Sequence, residues 1–217
     1  MPILTVISTY EAEVMRRTAD ESYASAHDAS AANSLYTSSV YFGQWYQEAG
    51  GFFYYQIERG GFIFDTSALP AEAVITAVTL KLYGQHKNDD DATFDITVVN
   101  GADLQNPMVL ADYGELLDDT ISLGSINSAD WSLTGYNNIA LNAAGIALIN
   151  KTGNTLLAVR SSRDINSTAP TPISLWSEAV ECWVHTDTGK EPKLEITYGS
   201  NYSRAFVPRM MMLHKGR

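Results

Sequence analysis

Residues Arg59–Tyr83 read RGGFIFDTSALPAEAVITAVTLKLY, and this stretch decides the fold class. It opens with a short aromatic strand, Phe62, Ile63 and Phe64. An Asp-Thr-Ser turn and a proline corner at Pro70 follow. The second run places Val74, Thr76, Val78, Leu80 and Leu82 on one face, with Lys81 and Tyr83 on the other. Alternation with period two, rich in β-branched and aromatic residues, is the mark of a half-buried antiparallel strand. Strand, polar corner, strand is how a β-sandwich passes from one strand to the next. The expectation is an all-β, antiparallel β-sandwich, jelly-roll-like, with one short helix and terminal extensions.

Working outward, residues 41–57 read YFGQWYQEAGGFFYYQI, two strands around a Gly50-Gly51 turn or a strand and an aromatic loop. Residues 84–92, GQHKNDDDA, read as a polar hairpin tip ahead of a strand with Phe94, Ile96 and Val98 alternating. Residues 100–137 suggest short strands and long connections. Asn142 is a good N-cap for AAGIALIN, and Lys151-Thr152-Gly153 supplies a stop, so the one helix is placed here. A strand Thr155–Ser161, a long loop and a closing strand Pro192–Tyr198 complete the order. Residues 1–18 read as an N-terminal arm with a short β-like run from Ile3 to Ile7, and residues 20–40 as a surface loop. The domain is placed at 19–198, and residues 199–217 form a basic, Met-rich C-terminal arm.

The chain has 217 residues, 25 acidic and 14 basic, for a net charge of −11. That balance argues against a nucleic-acid partner, which needs clustered Lys and Arg. The N-terminal segment lacks the basic and apolar regions of a signal peptide, and no apolar run is long enough to span a bilayer. The expectation is a chain made and kept in the cytosol, or leaving it by assembly or lysis, with neither signal peptide nor membrane span. Cys182 stands alone, so an internal disulfide is excluded and the residue reads as a small buried hydrophobe.

With the segments in order, the chain resembles the DNRLRE-type β-sandwich domain. The resemblance rests on Ala19-Asp20-Glu21-Ser22-Tyr23, on GGFIFDTSALPAEAVITAVTLKLY against an R-x-x-L-x-F-D-L-S-x-x-P core pattern, on LNAAGIALINKTGNTLLAVRS, and on Ser177-Glu178 with Pro192–Tyr198. It spans about residues 19–198. It implies a carbohydrate-binding-module-like sandwich of the kind found in surface and adhesive modules. A stand-alone chain of this type with an LNxxGxAxI helix looks like a phage virion protein.

Candidate sites follow. The aromatic run around Trp45, Tyr46, Tyr54 and Tyr55 could stack on the apolar faces of sugar rings, or fill strand core and a subunit interface. Asp89, Asp90 and Asp91 offer hard oxygen ligands for calcium, against the plainer reading of a solvated loop. Four dispersed histidines (His27, His86, His185 and His214) carry no zinc spacing. Glu58, Asp65, Glu178 and Glu181 are carboxylates available for acid–base work, but nothing in the sequence pairs any two of them. Asp65 reads as a turn residue. Neither a nucleophile elbow nor a phosphate loop is present. The tail residues Arg204, Arg209, Met210, Met211, Met212, Lys215 and Arg217 oppose the charge of the body and could lie on an acidic neighbour. The resulting expectation is a non-enzymatic virion structural protein without cofactor, decorating a capsid or forming part of a tail or fibre. Its partners would be copies of itself and other virion proteins. The alternative is a carbohydrate-binding module or adhesin for cell-surface glycans.

Overall fold

The computed structural model describes residues 1–90, 92–172 and 175–200, apart from the side chains of Trp176 and Ser200. Among the described residues, eleven strands carry the fold: β1 (Ile3–Ala19), β2 (Ser34–Tyr36), β3 (Val40–Ala49), β4 (Phe52–Asp65), β5 (Ala73–Asp89), β6 (Asp95–Asn100), β7 (Gly124–Asn127), β8 (Tyr136–Ala140), β9 (Asn154–Ser161), β10 (Leu175–Cys182) and β11 (Lys193–Ser200). Among the described residues, strand makes up 50% and helix 11%, an all-β sandwich-like fold. Every ladder is antiparallel.

Two long strands tie the layers together. Residues 3–7 of β1 pair with β11, while residues 8–19 pair with β4, and the register slips between Ser8 and Tyr10. β5 pairs with β11 and β8 through its first part and with β10 from Gly84 to Asp89. The main core lies between the layers: Phe62, Phe64, Val98, Leu157 and Val159 meet Val78, Leu80, Leu82, Leu194 and Ile196. A second cluster covers the opposite face of the β1–β4–β9 layer, where Ala12, Val14, Ile57 and Ala158 pack under Ala26, Leu104, Met108 and Tyr113.

Several expectations change. Residues 1–18 are not an arm but β1, with Ala12 and Val14 fully buried. Their alternation with Glu11, Glu13 and Met15 is a strand signal that the charged composition masked. The polar stretch 84–89 is not a hairpin tip but the second half of β5. Among the described residues, four short helices stand where one was expected: α1 (Tyr23–His27), α2 (Asp112–Glu115), α3 (Ala143–Ala147) and α4 (Ser162–Ile165). α3 is the helix read from Asn142, whose side chain accepts from the Gly145 amide. The others span four or five residues, too short for a helical period to show. In β5 the register against β11 shifts between Ala77 and Ile75, leaving Thr76 as an extra residue. A bulge of one residue inverts the alternation. Val74 is therefore exposed, while Ile75 packs against the core.

Candidate functional site

The hairpin β3–β4 turns at Gly50 and Gly51, whose φ angles of 63° and 85° suit a two-residue I′ turn. Its pairing, Trp45 to Gln56 and Gln47 to Tyr54, places alternate residues on opposite faces. The four aromatic candidates are divided accordingly. Trp45 and Tyr54 share one face. Tyr46 and Tyr55 share the other, their rings 5.2 Å apart, and Tyr23 meets Tyr55 edge-on at 5.7 Å.

On the Trp45 face, β1 contributes Glu13, Met15 and Arg17, and β4 contributes Gln56 and Glu58, by the pairing of Met15 with Glu58 and Arg17 with Gln56. With Tyr36, Ser39 and Tyr41 they line an open groove of about 260 Å³. A second basin of about 400 Å³ continues along β1, sharing Met15, Arg17 and Tyr36 and adding Tyr54. Arg17 stacks over the Tyr54 ring at 4.3 Å and donates to Gln47 Oε1 at 3.1 Å.

Carboxylates crowd the groove floor. Glu58 accepts from Trp45 Nε1 at 2.9 Å and from Gln56 Nε2 at 2.6 Å. Glu13 accepts from the Tyr41 amide at 3.0 Å. Glu181 faces Tyr41 across the β3–β10 ladder. Burial, reinforced by the Glu58 charge, pushes the Glu13 carboxyl up to about 9, with the Tyr41 amide opposing. Burial lifts Glu58 to about 7, the Trp45 and Gln56 hydrogen bonds holding it down. Burial likewise raises Glu181 and the Tyr41 hydroxyl. Removing a carboxylate from water favours its neutral form, and like charges nearby add to that preference. Glu11, next along β1, accepts from the His185 backbone amide, and His185 Nδ1 lies 2.7 Å from its Oε1.

The sequence candidates thus separate. Glu58 and Glu181 come together, joined by Glu13, which gives no site signal in the sequence because it lies in a charged stretch that reads as an arm. Glu178 lies on the opposite face, held by Gln44 at 2.9 Å and Arg163 at 3.0 Å. Asp65 accepts from the Ser67 amide at 3.0 Å, as a turn residue should. Asp89 sits 3.7 Å from Lys87, and Asp90 accepts from the Ser177 amide at 3.1 Å. Asp91 lies outside the described residues, as do His214 and the arm residues Arg204, Arg209, Met210, Met211, Met212, Lys215 and Arg217. Among the described residues, no three metal-ligating side chains are placed to hold a metal ion. His27 is buried, its Nε2 2.7 Å from the Asp164 carbonyl. Cys182 is fully buried and burial pushes its thiol up, so it behaves as a core hydrophobe.

No family model matches the chain, and no curated protein matches it. Among the described residues, no helix is long and apolar enough to cross a membrane.

Proposed function

We propose that this chain is a non-enzymatic binding module that holds a saccharide in the groove along β1. The carrying observation is the groove itself, where Tyr36, Tyr41 and Tyr54 stand beside Glu13, Glu58, Gln56 and Arg17 on one open sheet face. Aromatic rings suit the C–H faces of sugars, and flanking carboxylate, amide and guanidinium groups suit their hydroxyls. The polar groups are already oriented by the protein, with Glu58 held by Trp45 and Gln56, which lowers the ordering cost of binding. The resemblance to carbohydrate-binding-module-like sandwiches points the same way.

A glycan array on the intact chain tests the reading. Tyr36 is 44% exposed, so Tyr36→Ala should leave the fold unchanged and weaken a hit by about tenfold or more. Full affinity after that change, or an array without hits, would reject it.

A second reading, a phage virion structural protein that assembles with its own copies, is favoured by charge. The last nineteen residues hold four of the fourteen basic residues and none of the twenty-five acidic ones. A segment of that composition suits an acidic neighbouring copy. Deleting residues 201–217 should leave the sandwich folded but stop incorporation into particles. Full incorporation of the truncated chain would refute this role.

A further inference from the structure

Buried charge is treated in two ways in this molecule. In the layer behind β4, Asp164 is held by Arg59 at 2.8 and 2.9 Å and by Arg160 at 2.7 Å, all three fully buried. The carboxylates of the groove have no such partner. Arg17 is the one cation among the described residues lining that groove, and its guanidinium is turned to Gln47 and the Tyr54 ring. Glu13 is 2% exposed, and its Oε2 takes the Tyr41 amide. Among the described residues no hydrogen bond reaches its Oε1, and Glu13 is one of the residues lining the groove. Buried carboxylates are normally paired. Here no cation is paired with them, burial favours their neutral form, and an open groove lies beside them.

We infer that the groove takes a cationic saccharide, an amino sugar whose ammonium docks against Glu13 and Glu58 while its ring lies along Tyr36 and Tyr41. The inference rests on the saccharide reading above and narrows it to one substrate class. Of the other charged and titratable groups nearby, Arg17 lines the groove, Glu181 on β10 acts through its charge on Glu13 and Glu58, His86 on β5 meets the Tyr41 ring edge-on at 6.4 Å, and Glu11 on β1 is already paired with His185. An ammonium contributes charge that this acidic set accepts, and the face of an aromatic ring attracts it further. Docking of the cation draws protons off the carboxylates, because a nearby opposite charge favours their ionised form.

The test is isothermal titration calorimetry of the whole chain with a glucosamine oligomer, an N-acetylglucosamine oligomer and a neutral β-glucan of equal length. The buffer should be acidic enough to keep the amine protonated. The glucosamine oligomer should bind at least about tenfold more tightly than the other two, with a measured enthalpy that varies with buffer ionisation as proton release requires. Glu13→Gln keeps an acceptor for the Tyr41 amide and should erase the preference. Glu58→Gln is the second variant, and the comparison of oligomers on the unaltered chain stands apart from both. Equal binding of all three oligomers overturns the cationic inference and leaves the saccharide reading intact. Absence of glucosamine binding beside a different array hit does the same. Absence of binding in both experiments removes both.

Discussion

Gly60 and Gly61 are neighbours in β4, yet each faces a different packed layer. A Cβ on Gly60 would lie 2.5 Å from the Phe42 ring and 2.6 Å from Val40, both inside the main core. A Cβ on Gly61 would lie 2.4 Å from Met108 Sδ and 2.8 Å from Leu104. Thioether and leucine ends can move, whereas a ring wedged against Phe62 and Trp131 cannot readily do so. Gly60→Ala should therefore cost about 1–3 kcal/mol of stability and Gly61→Ala less, read from urea midpoints at constant slope. Equal losses would show that the two layers yield alike. The Arg-Gly-Gly run is visible in the sequence. The reason for its glycines is not, because Phe42 and Met108 lie far away along the chain.

At the scale of elements, caps and turns were readable and partners were not. Asn142 holds the Gly145 amide at 3.1 Å and the Ser122 carbonyl at 2.8 Å. Asn142→Ala should cost about 1 kcal/mol, measured by thermal unfolding, and a neutral result would mean that tertiary contacts alone hold α3. The Gly50-Gly51 turn follows from its dipeptide. At Gly50, φ is 63° and a Cβ would meet nothing within 4 Å. Gly50→Asn should keep or raise stability, by up to about 1 kcal/mol, since Asn tolerates this conformation with less unfolded-state entropy. A clear loss on denaturant titration would contradict the I′ assignment. Which ring of the hairpin faces which layer was partly legible, since alternation sends half each way. The hydrogen bond that Trp45 donates to Glu58 across the hairpin needed the register.

For the whole molecule, the two groups of buried charge set opposite limits on pH. Glu13, Glu58 and Glu181 titrate above their ordinary value, so the folded state binds more protons than the unfolded chain as pH rises. Their contribution is full below the ordinary value of 4.5 and is lost as pH climbs through about 7 and 9. Despite its burial, Asp164 is held below its ordinary value by Arg59 and Arg160, so its contribution is full above 3.8 and is lost in stronger acid. The melting temperature should peak at roughly pH 4–5 and fall toward alkaline pH, with Glu13→Gln flattening the alkaline arm. A melting temperature that rises steadily to alkaline pH would contradict this account. Asp164→Asn leaves two buried guanidinium groups without a counter-charge and should cost about 3–5 kcal/mol by denaturant titration.

The sequence by itself determined the β class, the strand ends around the proline corner, the Gly-Gly turn and the Asn142 cap. Each depends on residues within one or two turns of chain, where alternation, φ preference and side-chain reach act locally. Only the tertiary structure decided that residues 3–19 are a strand shared by both layers, and that Thr76 is a bulge which turns Val74 outward. It also decided that Glu13 and Glu58 line one groove, with the Glu181 charge near both. These residues lie on three strands far apart in sequence, brought together by antiparallel register. Register is a property of pairing, and no single strand carries it.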